Sequence, residues 1–147
     1  MDKDSDSFVK AGTVRVRYSD TDKMGIVYNA NYLVWFEIAR TEYCRNLGKT
    51  YREWEEQGYF LPVTESYCKY FFPAVYDDMV VLYSRAPVEH IKPHSILFEY
   101  RVMVESKLLA EGRTKHAFVS AEGKIWRKNN QFQLWLIEEA EHHAASK

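Results

Sequence analysis

A chain of 147 residues, 46% apolar and 28% charged, has the length of one domain and enough apolar content to bury a core, which excludes a disordered segment. Its net charge of −1 gives no global attraction to nucleic acid or to an anionic membrane, and no stretch approaches the length of an apolar membrane span. The opening MDKDSDSFVK lacks the apolar core of a secretory signal, and Cys44 and Cys68 form neither a metal-like pair nor a disulfide framework, so a cytoplasmic location is expected.

Residues 1–10 read as a polar tail. The alternation of 13–18 (TVRVRY) predicts a first strand, and SDTDKMG follows as a polar turn in which Gly25 can take a positive φ. From Asn31 the apolar period becomes helical, with Tyr32, Trp35, Phe36, Ala39, Tyr43 and Leu47 on one face. The spacing predicts a helix over 31–47, capped by Asn29 or Asn31 and ended by Gly48, with a shorter helical turn over 50–57. Strands are expected over 62–72, 78–90, 95–105 and 108–120, with turns at 106–107 and 121–123, the latter leading into a short extended segment at 124–127. A C-terminal helical extension covers 130–147, its periodic part lying in 130–143. The whole chain 1–147 is then a single α+β domain, and one helix cannot cover both faces of such a sheet, so a homo-oligomer is expected.

The stretch 18–31, YSDTDKMGIVYNAN, carries the chemistry. Asp20 and Asp22 precede the start of a long helix, where unpaired amides and the helix dipole can receive a developing oxyanion and favour a charged carboxylate. An aspartate beside that terminus can act as base or nucleophile on the same carbonyl, although on spacing alone paired Asp before a helix is more often a turn-and-cap device. The partial calcium-loop pattern D-x-D-x-x-G fails, because Asn31 stands where a bidentate Glu is required and Ile26, Val27 and Tyr28 follow the glycine. Glu138, Glu139, His142 and His143 read as an exposed helix end; no metal and no cofactor is expected. No G-x-S-x-G elbow is present, and Cys44 has no base beside it in the pattern. His116, within a strand pattern, reads as structural.

The run from Tyr18 to Glu42, YSDTDKMGIVYNANYLVWFEIARTE, resembles the signature of the 4-hydroxybenzoyl-CoA thioesterase family and is similar to the acyl-CoA thioesterases associated with the Tol-Pal system. The likeness continues at Pro73, Ala74, Tyr76, Asp77 and Asp78, and again from Leu108 to Gly112 leading to His116. It implies a hot-dog fold, an antiparallel sheet wrapped around a central helix, assembled as a homodimer or homotetramer. It also implies hydrolysis of acyl-CoA, with Asp22 as the catalytic carboxylate, the Asn29 backbone amide as oxyanion donor, and Gly25 letting the chain turn close to the substrate. Tyr28, Lys92, His94 and Ser95 are the expected substrate and CoA contacts; residues 91–130 carry 8 Lys and Arg against 4 Asp and Glu. The sequence departs from the pattern at Asn29, where relatives often carry His or Tyr, which leaves the amide intact but changes the side chain. Two alternatives stay open: hydrolysis of acyl groups on acyl carrier protein, and a non-catalytic acyl-CoA-binding module, against which the retained Asp22 argues.

Overall fold

The computed structural model describes residues 8–145, so most of the expected polar tail lies outside the described residues. Five strands form one antiparallel sheet: β1 (Val9–Arg15), β2 (Val63–Tyr70), β3 (Met79–Arg85), β4 (Ser95–Val104) and β5 (Lys107–Ala117), in the order β1-β3-β4-β5-β2. Helix α1 (Asn31–Leu47) lies on one face, α2 (Tyr51–Glu56) follows it, and α3 (Gln131–Ala145) closes the chain. A short 3-10 turn at Val88–His90 replaces the end of the extended run expected over 78–90, and another at Tyr18–Asp20 opens the expected polar turn one residue early.

The core follows the two periodicities. Along α1, Tyr32, Trp35, Phe36, Ala39, Tyr43 and Leu47 are buried, and along β4 so are Ile96, Phe98, Tyr100 and Val102. Phe36 stacks on Tyr100 with ring centroids 4.4 Å apart, which joins helix to sheet through two large apolar faces. On the neighbouring strand, opposite Tyr100, Gly112 makes room for the Phe36 ring: a Cβ there would overlap that ring and stand 2.7 Å from the Tyr67 carbonyl oxygen. Gly112→Ala is therefore expected to cost about 2 kcal/mol through overpacking, read as a lower denaturant midpoint. An unchanged midpoint would show that α1 can lift off β5 freely.

His116 is fully buried, and its partners fix its role. Nδ1 lies 2.9 Å from the Leu61 carbonyl and must donate to it, so in the neutral ring Nε2 accepts from the Thr114 hydroxyl at 2.8 Å. Thr114 in turn accepts from the Tyr100 hydroxyl. Burial lowers the His116 pKa to about 4, since a charged ring would lose its water there. The chain of bonds is structural, as the strand pattern predicts.

At the sheet boundary, β2 has β5 on one side and, among the described residues, nothing on the other. Every β2 residue except Cys68 is exposed, Val63, Tyr67 and Tyr70 included, and Phe71 and Phe72 extend the apolar strip. An open edge of this length and composition is a template for strand pairing.

Candidate active site

The site is built from a loop, a helix start and the end of the edge strand. Thr21 and Val27 form a bridge, the Asp22 amide donates to the Ile26 carbonyl, and the Gly25 amide donates to the Asp22 carbonyl, both at 2.9 Å. Gly25 closes this turn at φ 80°, where a side chain would be strained. The loop is tied down by the Val27 amide on the Ala74 carbonyl and the Tyr28 amide on the Asp20 carbonyl, again at 2.9 Å.

Its two carboxylates face different ways. Asp20 is buried; its Oδ2 accepts from the Arg17 amide at 2.8 Å and from Arg17 Nε at 3.4 Å, and its Oδ1 from the Arg17 guanidinium at 3.0 Å. That hydrogen bonding holds its carboxyl below the usual carboxylate range. Asp20 is a turn-forming residue. Asp22 is half-buried; Oδ1 accepts the Met24 amide at 2.8 Å, and Oδ2 has no partner among the described residues. It stands between two depressions. One, of about 300 Å³, is walled by Asn29, Tyr32, Tyr70, Phe71, Phe72 and Pro73; the other, of about 820 Å³, opens past Tyr18, Lys23, Gly25 and Tyr76.

The start of α1 differs from the expected cap. Ala30 occupies the cap position without a side-chain bond, and Asn31 instead donates its side-chain amide to the Asp20 carbonyl at 3.0 Å. The amides of Asn31, Tyr32 and Leu33 turn back onto the carbonyls of Tyr28, Asn29 and Ala30, at 2.9–3.2 Å. Helix termini often tighten in this way. Among the described residues, the amides left without an acceptor are then those of Asn29 and Ala30, one step earlier than a plain helix start would leave them. An outward carboxylate oxygen and unpaired amides beside one cleft are the parts an acyl-transfer site needs.

The profile of the thioesterase-like superfamily matches residues 16–140. The chain belongs to this superfamily. The acyl-CoA thioesterase YbgC of Haemophilus influenzae is 40% identical over 107 residues, covering 72% of this chain and 77% of that protein. Among solved structures, the protein TT1821 of Thermus thermophilus superposes with a TM-score of 0.81 at 31% identity, covering 87% of this chain and 97% of the other. A DHNA-CoA thioesterase from Staphylococcus aureus gives the same TM-score at 28% identity, covering 95% and 91%. The sheet wrapped on α1 is thus the hot-dog fold.

Within this thioesterase fold, Asp22, Gly25 and Asn29 come together. Lys92, His94 and Ser95 do not join them in one chain. Ser95 pairs with Ala117 and Ile96 with His116, at the Val63 end of β2, whereas the Asp22 cleft lies at the Tyr70 end, opposite Ala110. Seven residues of strand separate those levels, about 23 Å. The Tyr28 side chain, 53% exposed, lines neither depression. Tyr70, Phe71 and Phe72 form a wall where the sequence pattern indicates only a strand; their signal is three successive aromatics ahead of Pro73. Trp35 and Phe36 serve the core and are absent from the cleft lining.

Proposed function

We propose that this chain hydrolyses acyl-CoA thioesters at Asp22. The observation that carries the reading is the unpaired Asp22 oxygen sharing a cleft with Asn29, whose amide is also unpaired. A thioester laid across Asp22 places its acyl group against Tyr32, Tyr70, Phe71 and Phe72 and its thiol arm toward the open side by Lys23 and Tyr76. Asp22 either removes a proton from water as its oxygen adds to the carbonyl carbon, or adds to that carbon itself to give a mixed anhydride that water then opens. In both routes the carbonyl oxygen becomes an oxyanion facing the Asn29 amide, the C–S bond breaks, and the CoA thiolate leaves and takes up a proton. The aromatic wall favours flat or short acyl groups. A thiol-release assay over short, long and aromatic acyl-CoAs, beside acyl carrier protein thioesters, tests the reading. Absence of release from every thioester would overturn it.

The open β2 edge supports a homodimer in which two such strands pair antiparallel about a two-fold axis, with a tetramer built from two of these dimers. That pairing brings the Val63 end of one β2 to the Tyr70 end of the other, so Lys92, His94 and Ser95 of the partner subunit come level with Asp22. The cytoplasm, where the unpaired thiols Cys44 and Cys68 stay reduced, is the location this reading favours. Lys92→Glu is expected to raise KM for acyl-CoA without lowering kcat. Co-expression with Asp22→Ala is expected to restore a low-KM fraction, because one site of the mixed dimer then holds both native residues. An unchanged KM removes Lys92 from the site, and failure of the mixture to restore it removes the shared geometry.

A further inference from the structure

We propose that Tyr70 is a positioning residue for this hydrolysis, its hydroxyl clamping the Asn29 carbonyl so that the Ala30 amide of the same peptide unit stays aimed at the oxyanion beside the Asn29 amide. The proposal rests on the function given above. Tyr70 ends the edge strand β2, and its hydroxyl donates to the Asn29 carbonyl at 3.1 Å across 41 positions of chain. The clamp has a firm base: the Tyr70 ring meets Tyr32 edge-on at 4.9 Å and 84°, and Tyr32 packs on Trp35 at 4.7 Å. Tyr32 and Trp35 are both buried.

The Asn29 carbonyl therefore has two donors, the Tyr70 hydroxyl and the Tyr32 amide at 3.2 Å. The carbonyl before it, that of Tyr28, accepts the Asn31 amide at 2.9 Å. Each peptide unit is planar, with its N–H opposed to its C=O. Holding the Tyr28 carbonyl thus orients the Asn29 N–H, and holding the Asn29 carbonyl, the one Tyr70 reaches, orients the Ala30 N–H; these are the two left unpaired. A hydrogen bond accepted by a carbonyl also polarises its own amide and strengthens the N–H as a donor. Asn29 and Ala30 are themselves exposed, so no packing of their side chains does this work. Although the Tyr70 side chain is about half exposed, loss of water around its hydroxyl, with the Cys68 thiol beside it, pushes that hydroxyl up to about 12, so it remains a donor across neutral pH.

Tyr70→Phe tests the clamp, because it keeps the ring against Tyr32 and removes only the hydroxyl. The variant is to be assayed beside wild type and Asp22→Asn on the acyl-CoA that wild type turns over fastest. The expected result is a kcat about 10-fold lower, the loss of a modest part of an oxyanion contact, with KM within about twofold, an unchanged melting temperature and a pH–rate curve of unchanged shape. A kcat equal to wild type overturns the proposal. So does an early-melting variant in which kcat and KM worsen together, which assigns Tyr70 to packing, or a loss lying wholly in KM, which assigns it to substrate contact. If wild type and Asp22→Asn turn over alike, the hydrolysis reading itself falls and the clamp with it.

Discussion

Asp22→Asn is expected to lower kcat by about 10³-fold, the middle of the range for removing a positioned base or nucleophile. The substitution is close to isosteric, and its side-chain oxygen can still accept the Met24 amide that Asp22 Oδ1 holds at 2.8 Å. The loop keeps its shape, so the loss falls on the chemical step and KM moves little. Activity above half of wild type would remove Asp22 from the mechanism. Asp20→Asn is the useful contrast. Its carboxylate is committed to Arg17 on both oxygens, so that change weakens the turn and lowers stability before it touches the reaction. A single turnover in oxygen-18 water tests for direct attack: label appearing in the Asp22 side chain marks an anhydride opened at the aspartyl carbon, whereas label confined to the product acid is expected from activated water or from opening at the acyl carbon.

The second large effect is on stability as pH falls. His116 has a folded pKa lowered to about 4 from 6.5, and burial is the main cause. Between those values the unfolded chain binds a proton that the folded chain refuses. Stability is therefore full above pH 6.5 and is lost as pH falls from 6.5 toward 4, by about 3 kcal/mol in all. Asp20, whose pKa is lowered from 3.8, loses its contribution only below that window, so it does not imitate the effect. Urea unfolding from pH 7.5 to 4.5 is expected to show midpoints falling with pH, and His116→Gln a flatter dependence from a lower starting value. A wild-type midpoint independent of pH over that interval would mean that the ring is already charged or reaches water.

The elements that read correctly from sequence are those whose register is imposed by burial. Helix α1 spans Asn31–Leu47, as expected from its apolar stripe and Gly48, and β4 shows its alternation because one face packs on α1 while the other does not. The first strand begins at Val9 rather than residue 13, since a bulge between Lys10 and Thr13 interrupts the alternation that defined it. It ends at Arg15 because Arg17 turns to cap Asp20. The β4–β5 turn falls one residue earlier than expected, with Glu105 at φ 56°, a conformation that its residue type does not advertise. Residues 124–127 form no strand; an isolated bridge joins Val119 to Ile125. Of the candidate site, Asp22, Gly25 and Asn29 lie in one long contiguous motif, and the structure keeps them on one loop beside the start of α1. The wall opposite was not legible in sequence, because Tyr70 reaches Asn29 only after β2 has paired with β5 and residues 74–75 have docked on Ile26 and Val27. Such meetings depend on topology and leave no local period.

The loop that presents Asp22 is secured largely by main-chain atoms: Asp22 to Ile26, Gly25 to Asp22, Val27 to Ala74 and Tyr28 to Asp20. The cleft wall comes from side chains on another stretch, 70–73. On the function proposed above, reactivity and substrate choice would then sit in separate cassettes of the chain. Drift in Phe71 or Phe72 is expected to retune which acyl groups are accepted while the loop around Asp22 stays put, so that one scaffold could diversify its diet without reinventing its chemistry.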